Sequence, residues 1–535
     1  MATASLRALG ELRSAAQRAA QRGFSSLVAA EADPVFTKFG NPAPVAHSFL
    51  PALGYVPEVK VTTLENGLRV ATSATASAET AAVGVWIDAG SRFELASDNG
   101  AAHFLEHMAF KGERLFLFLQ NPITSSCSPP LTSRLVLFLV RFDSNPKGTA
   151  KRTARSLEQE IENMGGHLNA YTSREQTTYW ARVMKKDTGK ALDVIADILQ
   201  NPKLEESAIE REKGVILREM EEVEKMPEEV LFDHLHATAF QNTSLGRTIL
   251  GPASNIQGMT RDMLSNYIKT HYTAPRFVVS ATGAVDHDEV VEMSKKLFGN
   301  LPTGGGATSQ PFVDAGPGHF TGSEVRFRDP DEKKLHFAVA VQGLPWQDAD
   351  SIPLMLMQII LGGWSSSGYG DIASGSIHGS SRLAHKVAEN DLCDSVSAFN
   401  THYADTGLFG MTAVCDPAKA QDLAWVMMHE FSALSYEVEP TDLERAKTAL
   451  KAGQLMGVDS ICPLAEDIGR QLITYGRYMP KAELFERIDS VTTETIKEVA
   501  NRVIYDQDVA IAAVGDTTLL PDYNWFRRRT FWLRY

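Results

Sequence analysis

The chain has 535 residues, too many for one hydrophobic core, so two to four domains are expected. Its hydrophobic share of 44% and charged share of 22% are those of an ordinary globular protein, and no apolar run approaches the roughly 18–20 residues of a spanning helix. A formal charge of −14 argues against nucleic acid and for a basic partner or substrate. The four cysteines (Cys127, Cys393, Cys415, Cys462) are scattered and form no C-x-x-C pair, so neither a disulfide framework nor a thiolate metal site is suggested.

The N-terminus opposes the overall charge. Residues 1–24 carry Arg7, Arg13, Arg18 and Arg22 against Glu11 alone, in a setting of Ala, Ser and Leu without proline. That composition is expected of an amphipathic transit peptide, and Arg22-Gly23-Phe24 before Ser25-Ser26 reads as a plant-type mitochondrial cleavage site cut after Phe24. Residues 25–57, with Pro34, Pro42, Pro44, Pro51 and Pro57, read as an extended arm.

A folded unit, 58–300, begins near Val59. Two short apolar runs flank Asn66-Gly67, a strand–turn–strand signal, and Ala82–Ala89 is a third strand. Ser156–Met164 reads as a helix ended by Gly165-Gly166. Strands follow at His167–Thr172 and Thr177–Val183, helices at Lys190–Gln200 and Glu205–Glu224, and a strand at Phe277–Ala281. A Gly/Pro-rich linker is expected at 301–318, and a second unit at 319–535. Its opening, VRFRDPDEKKLHFAVAVQGLPW, repeats the strand pattern of 59–90 in outline. The expected fold is therefore α+β: two related α+β halves, each an antiparallel-type sheet with helices packed on one face.

The chemistry sits in Ala102–Phe110 (AHFLEHMAF). His103 and His107 are four apart, hence on one face of a helix, with Glu106 between them. Two imidazoles on one face can grip one Zn²⁺, and a carboxylate beside the second can serve as general base to the attacking water. This is the H-x-x-E-H order, the inverse of the commoner zinc-peptidase motif. Phe104, Leu105, Met108 and Phe110 make the segment amphipathic, which favours a packed helix over a solvated one. A third ligand is needed, and the acidic helix Ile209–Glu224 offers Glu212 and Glu219 on one face. At the comparable place the second unit has Leu354–Leu361 and Gly362-Gly363-Trp364, with no such motif.

The strings HFLEHMAFKG, GGHLNAYTSREQTTY, REKGVILREMEE, FNTHYADTGLFG and DYNWFRRRTFWLRY together resemble the pitrilysin zinc peptidases, in the β-subunit branch of the mitochondrial processing peptidases. The resemblance covers nearly everything from about residue 35 onward. It implies a presequence-cleaving zinc metalloendopeptidase with one Zn²⁺ per chain, ligated by His103, His107 and Glu219. It implies Glu106 as the base and Glu212 as a second acid that orients the site. It further implies Phe110 as a wall of the pocket for the residue after the cut. Asn169-Ala170-Tyr171 would be the edge strand that a substrate extends, and Glu229 and Asp233 the receivers of a substrate arginine. Phe399-Asn400 and Tyr403 match a segment expected to close over the substrate. The implied partners are the processing peptidase α-subunit, basic presequence peptides and subunits of the respiratory cytochrome b–c complex, in the matrix or on the matrix side of the inner membrane. The alternative role is a non-catalytic core subunit of that complex.

One stretch departs from the resemblance. Phe110-Lys111-Gly112 and Thr149-Ala-Lys-Arg-Thr, contiguous in the family, are here separated by the 36 residues Glu113–Gly148. With two short apolar runs and Pro/Ser/Cys filler, this stretch is expected to be translated intron or a gene-model error, the alternative being a lineage-specific insertion. Ser365–Gly379 is also a few residues longer than the family's glycine-rich loop.

Overall fold

The structure, a computed structural model, describes residues 39–40, 58–110, 149, 151–304, 317–329, 332–366 and 381–531. The expected targeting segment (1–24), nearly all of the expected arm, the Glu113–Gly148 stretch, most of the expected linker and most of Ser365–Gly379 lie outside the described residues.

Strands β1 (Val59–Thr63) and β2 (Arg69–Ala74) form the expected hairpin, with Thr63 opposite Arg69 and Val59 opposite Ser73. Gly67 takes φ 88° in its turn, a left-handed conformation, with Pro275 packed where a Cβ would point. Together with β3 (Thr80–Ile87), β4 (His167–Thr172), β5 (Thr177–Met184) and β6 (Phe277–Gly283) they make a six-stranded sheet in the order β1-β2-β6-β3-β5-β4. A second six-stranded sheet has the order β7-β12-β8-β11-β10-β9. Its strands are β7 (Ser323–Phe327), β8 (Leu335–Gly343), β9 (Gly363–Ser365), β10 (Ser395–His402), β11 (Gly407–Cys415) and β12 (Ala510–Val514).

The two orders correspond strand for strand over five positions, β2-β6-β3-β5-β4 against β7-β12-β8-β11-β10. Two related α+β halves are thus present, as expected. Each sheet is mixed, because one pair, β2–β6 or β7–β12, is parallel while the rest are antiparallel. The late strands β6 and β12 join their sheets after long helical crossovers, and such a crossover permits parallel pairing.

The helices that matter to the site are α1 (Ala101–Phe110), α2 (Ala154–Asn163), α3 (Thr188–Gln200), α4 (Glu206–Val223), α5 (Pro227–Ala239), α6 (Arg261–His271) and α7 (His287–Phe298). In the second half they are α8 (Ser351–Leu361), α9 (Ala420–Ala433), α10 (Pro440–Met456), α11 (Ile461–Thr474) and α12 (Thr493–Val503). Several begin on side-chain caps: Thr153 accepts from the Ser156 amide, Thr260 from Met263, and Asp286 from Asp288 and Glu289. Val83, Val85, Phe104, Leu192, Ile195, Ile216, Phe277 and Phe298 centre the core of the first half, and Phe337, Val339, Leu356, Phe409, Met427, Phe431 and Ile511 that of the second.

The covering of the sheets goes beyond the sequence expectation of helices on one face. Every residue of β6 and of β12 is buried, so those strands need cover on both faces. The second cover comes from the other half. Helix α11 lays Leu464, Ala465, Ile468 and Leu472 on Ala71, Ala82, Trp86 and Val278 of the first sheet. A Cβ on Gly469 would stand 2.3 Å from the Trp86 indole, so only glycine lets that ring lie on α11. Reciprocally, α5 packs Leu231, Phe232, Leu235 and Ala239 on Ala338, Ala340, Phe399, Leu408, Ala510 and Ala512 of the second sheet.

Candidate metal centre

Helix α1 starts at a constrained point. Gly100 takes φ 105°, and a Cβ there would stand 2.6 Å from the Leu250 carbonyl oxygen. The buried Glu94 carboxylate accepts hydrogen bonds from Asn99 Nδ2 at 2.8 Å, the Gly100 amide at 2.9 Å and the Ala102 amide at 2.7 Å. It therefore satisfies donors that a helix N-terminus leaves open and places a carboxylate at the positive end of the dipole. Burial pushes this carboxyl up to about 8, with the Ala102 amide, Asn99 and the Gly100 amide pulling the other way.

Phe104, Leu105 and Met108 turn into the first core, which fixes the rotation of α1. His103 and His107 then share a face, 6% and 3% exposed, with ring centroids 4.6 Å apart. Helix α4 lies alongside and supplies Glu212 and Glu219, both buried. Glu219 presents Oε2 at 2.9 Å from His107 Nε2 and Oε1 at 3.7 Å from His103 Nε2. One potential ligand atom from each of His103, His107 and Glu219 lies within 4.8 Å of the others. Donors about 2.0–2.2 Å from a tetrahedral ion stand about 3.3 Å from one another, so this donor set fits a single small divalent cation.

Glu212 plays a different part. Its Oε1 stands 2.8 Å from His107 Nδ1. A carboxylate accepting the Nδ1 hydrogen leaves the Nε2 lone pair pointing at Glu219 and the cation position. Glu106, on the same helix, is 2% exposed. Burial holds the Tyr179 and Tyr272 hydroxyls well above the ordinary phenol range, and the nearby Glu106 charge adds to this at both. Glu94, Tyr179 and Tyr272 were not marked in the sequence. The only signal for Glu94 was an acid shortly before a helix start.

Among the described residues β4 pairs on one side alone, with β5, so its outer edge is a sheet rim, and α1 packs beside it. Asn169, Ala170 and Tyr171 lie on this strand, with the Ala170 amide bonded to Asn169 Oδ1 at 2.9 Å. The Tyr171 hydroxyl donates to Glu466 of α11. Phe110 ends α1; its side chain lies outside the described residues. Glu229 and Asp233 share a face of α5, and Asp233 Oδ1 accepts from Arg174 Nη2 at 2.7 Å, so an arginine of this chain already sits on that carboxylate. Phe399 and Tyr403 are buried at the junction of α5 with the second sheet, and Asn400 is buried on the same strand as Phe399, its Nδ2 3.0 Å from His402 Nε2. The Tyr403 hydroxyl is 2.7 Å from His236 Nε2, and the Phe399 ring centroid is 5.1 Å from that of Phe232.

A paired-half α+β fold in which, among the described residues, a two-histidine, one-glutamate cluster lies in the first half alone defines a class of peptidases, and sequence comparison agrees. The family model described as insulinase, peptidase family M16, matches residues 69–115 and 145–253, and that of the peptidase M16 inactive domain matches 258–450. The gap between the first two segments falls within Glu113–Gly148. A protein of Arabidopsis thaliana named "Probable mitochondrial-processing peptidase subunit beta, mitochondrial" is 52% identical over 94% of this chain and 87% of its own length. The mitochondrial-processing peptidase subunit beta of Bos taurus is 46% identical over 89% of this chain and 88% of its own. The chain belongs to the M16 peptidase family, in the branch of the mitochondrial-processing peptidase β-subunits, and is a mitochondrial protein. A chain from complex III2 of Candida albicans with Inz-5 bound shares the fold, at TM-score 0.70 and 23% identity over 89% of this chain and 100% of that one.

Proposed function

We propose that this chain is the catalytic β-subunit of a presequence-cleaving zinc metalloendopeptidase, working with the processing peptidase α-subunit on basic peptides in the mitochondrial matrix. The observation that carries this reading is the buried His103–His107–Glu219 trio beside an open sheet rim. Zn²⁺ held by these three residues would supply Lewis-acid polarisation of a carbonyl and a lowered pKa for water. Glu106 takes the proton from the attacking water and passes it to the leaving amine. Glu212 holds His107 in the tautomer whose Nε2 faces the cation. The substrate extends β4 at Asn169-Ala170-Tyr171, so its backbone hydrogen bonds fix the register of the cut. Glu229 and Asp233 attract a substrate arginine, which at Asp233 shares or displaces the bond from Arg174. Phe110 bounds the pocket for the residue after the cut. The intact trio favours this reading over a purely structural core-subunit role.

The test is reconstitution with the α-subunit. Glu106→Gln is expected to retain zinc and lose presequence cleavage, and His107→Ala to lose both. Cleavage by either variant at the parent rate would overturn the assignment.

A further inference from the structure

The rim strand β4 is held from outside its own half. Its penultimate residue, Tyr171, donates a hydroxyl hydrogen bond to Glu466, and Trp86 Nε1 donates to the other oxygen of that carboxylate at 2.9 Å. Glu466 lies on α11, a helix of the second half, 295 residues beyond Tyr171. It thus joins α11, the central strand β3 and the rim strand β4 by hydrogen bonds. Trp86 is 1% exposed and cannot move, because its indole rests on Gly469 and β3 sits between two paired neighbours.

The turn after β4 is tied in the same direction. Glu175 accepts from Arg92 Nη1 at 2.6 Å and from the Ala404 amide at 3.0 Å, and Arg92 Nη2 donates to Asp405 at 2.7 Å. Arg174 reaches Asp233 on α5, which itself rests on the second sheet. The β4–β5 hairpin is therefore anchored to the second half at its tip and, through Tyr171, near the end of β4.

We infer that Glu466 is a positioning residue for the substrate-binding rim: it carries the frame of the metal-free half to Tyr171 and sets where an added peptide strand lies relative to α1. This rests on the docking of substrate at β4 given under Proposed function. A positioning role affects binding of the extended peptide more than the bond-breaking step, since Glu466 touches no reacting group.

The assembled heterodimer, with a fluorogenic presequence peptide bearing arginine two residues before the cut, provides the test. Glu466→Leu is expected to raise KM about tenfold by removing a carboxylate that takes two hydrogen bonds, with kcat held within about twofold. Glu466→Gln is expected near the parent value, because its amide can accept from Trp86 and donate to the Tyr171 oxygen. Amide hydrogen exchange over Leu168–Thr172 without peptide should quicken in Glu466→Leu and not in Glu466→Gln. Should Glu466→Leu not assemble, Tyr171→Phe, which deletes one hydroxyl, is expected to give the faster exchange and part of the KM rise. Unchanged exchange together with unchanged KM overturns the inference, as does a loss confined to kcat. The reading beneath it is tested separately in the parent protein: if peptide does not protect Leu168–Thr172, docking at β4 fails, and the anchoring claim is decided by the peptide-free exchange alone.

Discussion

The two halves place corresponding helices on corresponding sheets and use them for opposite ends. In the first, α1 meets α4 through His103, His107, Glu212 and Glu219. In the second, α8 meets α10, and the buried positions are Ser351, Ile352, Pro353, Leu354, Leu356, Met357 and Leu361 on one side and Leu443, Ala446 and Lys447 on the other. The rims differ in the same sense. Strand β4 is an open edge, whereas its counterpart β10 is paired by β9, a three-residue strand running Trp364 opposite Val396. The second half fills from its own chain the places that correspond to the His103–His107–Glu219 cluster and to the β4 rim of the first. A fold supplies the positions, and the side chains at two helices and one edge decide whether they bind anything.

The largest effect expected to probe that difference is on catalysis. Glu106→Gln should lower kcat/KM about 10²–10⁴-fold, with metal content by elemental analysis unchanged. Next, Leu356→Ala in α8 should cost about 2–5 kcal/mol in chemical denaturation and leave the metal content alone; metal loss there would break the division between a binding half and a filled half. Glu94→Ala should cost about 1–3 kcal/mol by leaving buried donors at the start of α1 unmet, and a metal titration should show weaker binding, since the cap fixes the helix that carries both histidines. The smallest effect is expected from Glu229→Gln with Asp233→Asn: about a fivefold loss of kcat/KM on peptides with arginine before the cut. The loss is modest because Arg174 already engages Asp233. An equal loss on arginine-free peptides would remove the acidic pair from substrate selection.

Much of the centre was legible because its signals are local or periodic. The i, i+4 histidines needed only a helix, and Glu212 and Glu219, seven apart, were bound to share a face. Gly165, at φ 60°, ended α2 near the expected place, and β4 runs over the expected residues. Choosing Glu219 over Glu212 as the candidate ligand required family resemblance, since periodicity treats them alike. What the sequence left dark is non-local. Nothing near Tyr171 announces a bond to a residue 295 positions on, and α5 and α11 carry no local mark saying which sheet they cover. The double-sided burial of β12 fits its unbroken apolar run AIAAV, whereas β6, FVVSATG, is buried throughout despite Ser280 and Thr282, and in neither is the identity of the covering helix legible. Tyr403, singled out by family resemblance, is buried against His236 at the junction, a contact that no local pattern in the sequence announces.

The exchange of α5 and α11 makes the molecule behave as a clasp. Each half lends the other a helix, so the two sheets are held together by packing as well as by the backbone that joins them. Either half made alone would display the apolar face of β6 or β12 to water and would also keep a borrowed helix with nowhere to lie. The half that carries His103, His107 and Glu219 is therefore completed by a helix of the other, and each half serves as the other's structural template.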